Sequence, residues 1–234
     1  MKRLLLIALS AVFLAQPAVA SAQLAPVPSD TEYLDWVGKG DAVVATWGGV
    51  YLGPYLARFM EPTTPSFSIY CVDYLHHAGS QVVNATSLAS GQTDADMGNT
   101  RLGTGAGSYA TYQKAAYLSS LFASWEDYGT DKRTVWSGLH AAIWELTSSQ
   151  TGLASAGSET DLLRATFITN ANSNYSSVGD GWYVLSGAEG YDGQEFLIQT
   201  ATSVPEPGAF LLIGSGLLML LVVTWRRKVM LPEA

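Results

Sequence analysis

The chain has 234 residues, with 20 Asp and Glu against 12 Lys and Arg, and a formal net charge of −8. That acidic balance repels nucleic acid and anionic lipid, so nucleic acid is excluded as an expected partner. A single cysteine, Cys71, excludes an intramolecular disulfide and leaves one unpaired thiol to be explained.

In chain order, Lys2 and Arg3, the apolar stretch 4–14, and the small-x-small triplet Ala18-Val19-Ala20 or Ala20-Ser21-Ala22 predict a secretory signal peptide over 1–22. Residues 23–40 read as a linker, whose Pro- and Ala-bearing part, 23–30, has no periodicity. An ectodomain is expected over 41–200, long enough for one domain with its own core. Residues 23–203 carry 7 Lys and Arg against 18 Asp and Glu, a net of −11.

Within that ectodomain, Val43-Val44-Ala45-Thr46-Trp47, a Gly48-Gly49 turn and the run 50–55 predict a hairpin. Residues 67–75 predict a strand with Phe67, Ile69, Cys71 and Asp73 on one face. Residues 87–107 read as a long polar loop. Its Asp94, Asp96 and Asn99 are hard oxygen donors, but the closing Glu of a calcium loop is missing, so no metal is expected. His76 and His77 point to opposite faces if extended, and read as exposed loop residues rather than a shared metal site.

Apolar residues at three-and-four spacing predict a helix over 109–124 bearing Tyr112, Ala115, Leu118 and Phe122. A second is predicted over 132–148, capped by Thr130, with Val135, Leu139, Ala142, Ile143 and Leu146 inward. A third is expected over 160–170, then an Asn- and Ser-rich loop over 170–177 and closing strands at 182–185 and 195–199. Strands, helices, strands is the order of an α+β domain: a β-sandwich or sheet holding an inserted helical lobe. The seven Trp and twelve Tyr suit a sugar-stacking surface, with core packing the default.

The C-terminal stretch constrains the rest. Val204-Pro205-Glu206-Pro207 precedes an apolar run, 208–225, and then Arg226, Arg227 and Lys228. Eighteen helical residues reach about 27 Å, close to the hydrocarbon thickness of a bilayer, so one transmembrane helix is expected. The basic triplet acts as the membrane stop and keeps the tail 226–234 cytoplasmic. These three parts resemble the PEP-CTERM sorting signal, with 201–207 as its box region. The resemblance implies an exported protein of a Gram-negative bacterium. It is membrane-anchored until an exosortase-type enzyme processes it, and is then sent to the cell surface or an extracellular matrix of exopolysaccharide and biofilm. An ordinary single-span tail anchor is the alternative.

Two segments of the ectodomain, Tyr70-Cys71-Val72-Asp73 and Leu139-His140-Ala141-Ala142-Ile143-Trp144-Glu145, resemble the paired signatures of bacterial thioester domains, and Gly193-Gln194-Glu195-Phe196-Leu197 is similar to their final strand. In that family the cysteine sulfur condenses with a glutamine carboxamide. Here His140 stands at the glutamine position, and an imidazole has no carbonyl to donate. The resemblance implies that Cys71 and His140 are neighbours, flanked by Tyr70, Asp73, Ile143 and Trp144. Three outcomes stay open: the crosslink is lost; Gln81 or Gln113 supplies the acyl group; or imidazole and thiol form a reactive pair. The leading expectation is a non-enzymatic, cofactor-free surface or matrix protein with a degenerate thioester domain, partnered by extracellular polysaccharide or another surface component. A covalent adhesin with a Cys71–Gln thioester and a Cys–His acyl-transfer enzyme are the alternatives.

Overall fold

The computed structural model describes residues 24–201, apart from residues 46, 61–64 and 179. The expected signal peptide, sorting box, spanning segment and basic stop lie outside the described residues. Among the described residues, no helix is long and apolar enough to cross a membrane.

The strands are β1 (Thr31–Gly38), β2 (Val43–Val44), β3 (Tyr51–Leu52), β4 (Tyr55–Phe59), β5 (Phe67–Cys71), β6 (Gln81–Ser87), β7 (Trp182–Gly187) and β8 (Phe196–Gln199). Six of them close an antiparallel barrel in the order β1-β4-β5-β8-β7-β6, and β2 and β3 form a separate two-stranded sheet. The barrel corrects the expected sandwich or open sheet. Closure depends on β1 pairing with both β4 and β6, Leu34 lying opposite Phe59 on one side and Gln81 on the other.

β1 lies in the stretch expected to be linker. Its alternation is masked because the outward face carries charge: Asp35 pairs with Arg58 of β4 at 2.8 Å, while the inward Leu34 is fully buried. The residues before it are also held, since Ala25 bridges to Thr200 and its N–H donates to Gln199 O at 2.8 Å.

Between β6 and β7 the chain builds the helical insertion expected from the element order: α1 (Ser108–Ser120), a 3₁₀ segment (Leu121–Tyr128), α2 (Lys132–Ser148) and α3 (Glu159–Asn174). The cap of α2 is Asp131 rather than Thr130, its carboxylate accepting from Thr134 N and Oγ1. Ser158 caps α3, which begins at Glu159 and continues through the expected Asn-rich loop. That run stays helical because its polar side chains bond back to the previous turn, as Asn174 does to Asn170 O at 2.8 Å.

Helix α2 has no solvated face along most of its length: residues 134–144 are all buried. It packs against α1, α3, the 3₁₀ segment and the β2–β3 sheet. Gly138 allows the approach of α3, because a Cβ there would meet Leu163 Cβ at 2.9 Å. The functional residues on α2 therefore sit in the interior of the domain.

The polar loop 87–107 serves the helical lobe. Asp94 accepts from Gly107 N and Tyr109 N, both at 2.8 Å, and from Ser108 Oγ, fastening the start of α1. Asp96 closes a capping box with Thr93. Both acids are thus engaged with backbone and hydroxyl donors.

Candidate functional site

Cys71 ends β5 opposite Phe196 of β8, and its side chain has 0% exposure. Its S–H donates to the carbonyl of Asp73 at 3.3 Å. Burial drives the thiol pKa far above the usual range, and the negative charges of Asp73 and Glu195 add to it. The Trp144 indole N–H faces the sulfur and favours the thiolate, but makes no hydrogen bond there. The sulfur at neutral pH is a buried thiol.

His140 is equally buried, on α2. Its Nε2 accepts the backbone N–H of Gly53 at 2.9 Å, so the proton sits on Nδ1, which has no partner. The ring packs edge-on between Phe122 and Trp144, at 4.9 and 4.8 Å between centroids. Burial lowers its pKa to about 3. No hydrogen bond joins it to Cys71 among the described residues. Trp144, which stacks on His140 and faces the sulfur, is the residue common to both.

The remaining predicted neighbours have separate roles. Tyr70 is buried and packs on Phe122 and Trp182. Ile143 is fully buried core. Asp73 anchors the loop after β5: its carboxylate receives Leu75 N at 2.9 Å and pairs with Arg101 at 2.7 Å and with His76 at 2.5 Å. His76 also reaches Asp192 at 3.3 Å. It is therefore a half-buried residue held by two carboxylates, which corrects the expected exposed one, whereas His77 is exposed.

The glutamines separate clearly. Gln113 is engaged with Tyr109 on α1. Gln81 donates to Gln194 O at 2.6 Å. Gln194, not a candidate in the sequence reading, is the glutamine that meets the cysteine: its Nε2 donates to Asp73 O at 2.7 Å, the same carbonyl that receives the Cys71 S–H. Its Oε1 is buried without a partner. The Gly193-Gln194-Glu195 run pointed to this strand, but no rule of spacing tied it to Cys71.

Glu195, next to it, is a second residue the sequence did not single out. Its buried carboxylate receives Tyr112 Oη at 2.6 Å, Ser186 Oγ at 2.5 Å and Arg101 N at 3.0 Å. Burial raises its pKa, and the charge of Asp73 adds to that. This network ties α1 and the polar loop to β7 and β8.

A cavity of about 480 Å³ opens beside the cysteine, with Tyr55, Trp144 and Gln194 in its wall. Tyr55 is close enough that the Cys71 sulfur adds to the burial that raises its phenol pKa. Trp36 and Tyr74 face the same space.

Residues 203–228 match the PEP-CTERM protein-sorting motif. No curated protein matches the chain. The N-terminal thioester domain of a surface protein from Clostridium perfringens is similar in structure, with 13% identity and a TM-score of 0.45 over 72% of this chain and 97% of that one. The N-terminal thioester domain of fibronectin-binding protein SfbI from Streptococcus pyogenes is similar at 10% identity and a TM-score of 0.44, over 77% and 98%. The chain thus carries a PEP-CTERM sorting motif, which marks it as an exported, surface-sorted protein with structural similarity to thioester domains of bacterial surface proteins.

Proposed function

We propose that this is a non-enzymatic protein of the cell surface or extracellular matrix of a Gram-negative bacterium, anchored by its C-terminal helix until an exosortase-type enzyme processes it. Its ectodomain, 41–200 with β1 added, is a thioester-like domain that has lost its crosslink and holds extracellular polysaccharide without a covalent bond. The observation that supports the loss is His140: at the position that the sequence resemblance gives to the acyl donor stands a neutral imidazole, committed to Gly53 N–H. A reactive Cys–His pair is disfavoured by the same geometry, because burial keeps the thiol protonated and the imidazole uncharged.

A second reading is favoured by one contact. The Gln194 carboxamide and the Cys71 thiol share the Asp73 carbonyl, so a Cys71–Gln194 thioester, formed with release of ammonia, is the covalent alternative. Intact mass of the purified protein separates the two. The leading reading expects the unmodified mass and one alkylatable thiol after unfolding. Loss of one ammonia, abolished in Gln194→Ala and reversed by methylamine, would establish the alternative instead. The sorting half is tested by fractionation: removing residues 204–207 should leave the protein in the membrane, and unchanged release would overturn that part.

A further inference from the structure

The cavity beside Cys71 is walled by aromatic rings from both lobes. Trp36 and Tyr55, from β1 and β4, meet edge-to-face at 6.4 Å; Tyr74 and Trp144, from the loop after β5 and from α2, lie 5.0 Å apart. At about 480 Å³ it falls within the roughly 300–1,000 Å³ of small-ligand sites. Three wall residues hold buried polar atoms with no hydrogen-bond partner in the protein: the indole Nε1 of Trp36 and of Trp144, both donors, and Oε1 of Gln194, an acceptor. These atoms are closed to solvent and costly to leave unmatched, so a ligand in the cavity that both donates and accepts gains by turning them toward it.

Charge narrows the class further. No carboxylate lines the cavity, although the chain is strongly acidic. Lys39, at its mouth, sits 4.5 Å above the Tyr51 ring and donates to Tyr51 Oη at 3.3 Å, with no acidic partner among the described residues. His76, by contrast, is held by Asp73 and Asp192.

From these features we infer that the cavity binds an acidic pyranose, a uronate unit of a polysaccharide. The apolar face of the ring stacks on Trp36 and Tyr74, its hydroxyls answer Trp36 Nε1 and Gln194 Oε1, and its carboxylate meets Lys39. Flat rings that offer both an apolar face and a polar edge suit such a ligand. This site names the partner left general in the proposed function and rests on that reading.

The test is titration of the full-length protein, in a detergent without sugar headgroups, with a trimeric uronate oligosaccharide and a neutral glucan trimer. Tryptophan fluorescence and calorimetry report binding. The uronate should bind and the glucan should bind at least threefold more weakly. Lys39→Ala should remove most of that preference by weakening uronate three- to fivefold, the scale of an exposed ion pair, and raised salt should do the same. Trp36→Ala should weaken both sugars at least tenfold, and Tyr51→Ala, at an exposed ring where folding is not at stake, should weaken uronate alone. Absence of uronate binding, equal binding of both sugars, or indifference to Lys39→Ala overturns the assignment. None of these results alters the intact mass or the release of the protein, so a failure here is distinct from a failure of the proposed function.

Discussion

His140 Nε2 accepts the backbone N–H of Gly53 at 2.9 Å, joining the buried helix α2 to the turn between β3 and β4. The ring fills space between Phe122 and Trp144 as it does so. His140→Ala removes both the acceptor and the packing, and should destabilise the protein by roughly 2–4 kcal/mol. His140→Gln keeps an acceptor for Gly53 and should cost about 1 kcal/mol. Urea denaturation of the two variants tests the ranking, and equal losses would show that the hydrogen bond is irrelevant.

The same residue sets a pH dependence. Its pKa falls from 6.5 in the unfolded chain to about 3 in the folded one, because the buried ring resists charge. The unfolded state therefore takes up a proton that the native state refuses. The stability contributed by the neutral ring is fully present above pH 6.5 and declines as pH falls from 6.5 toward about 3. The slope should approach about 1.4 kcal/mol per pH unit across that window. Denaturation midpoints of wild type and His140→Gln measured from pH 7 to 4 should converge, wild type starting higher and falling faster. Parallel curves would place a partner on Nδ1 or water in the site.

Cys71 should behave as an inert interior thiol. Its burial and raised pKa predict that iodoacetamide labels the native protein only as fast as the domain opens. The rate should rise steeply with urea, and its pH dependence should be that of an ordinary thiol in the opened chain, rising between pH 6 and 8. Fast labelling in native buffer would mean an activated thiolate.

Tyr112 and Glu195 couple the helical lobe to the barrel at 2.6 Å. Tyr112→Phe leaves the buried carboxylate one donor short and should cost about 1–2 kcal/mol. A cycle with Glu195→Gln should return a coupling on the order of 1 kcal/mol. Amide exchange in α1 should quicken in Tyr112→Phe before the barrel strands respond.

Gly53 admits no side chain. Its φ is +112°, and a Cβ would lie 2.3 Å from Trp136 Cζ3. Gly53→Ala must displace the indole or the turn, and the turn carries the donor to His140. A loss above roughly 3 kcal/mol, or failure to fold, is expected, measured by thermal unfolding.

Much of this organisation was legible in the residues. The helix 132–148 follows from its periodicity, as does the start of β5, which ends at Cys71 rather than at the expected residue 75, and the run of strands, helices, strands placed the insertion correctly. β1 was not legible because Glu32 breaks the alternate run that carries Leu34 and Trp36, and Asp35, on the outward face, is explained only by its partners Arg58 and Ser80. Gln194, which shares the Asp73 carbonyl with Cys71, lies 123 residues away in sequence, a relation that no local pattern encodes. His140 was recognised as a non-donor from its side chain alone, but the partner that occupies it, a glycine amide, emerges only from the fold.

Joining β6 back to β1 leaves those six strands with no outermost member. An exported, surface-sorted chain can meet other copies of itself. A sheet without a ragged border gives other copies no ribbon of bare amides to zip onto, so backbone pairing between copies is left to the separate β2–β3 sheet.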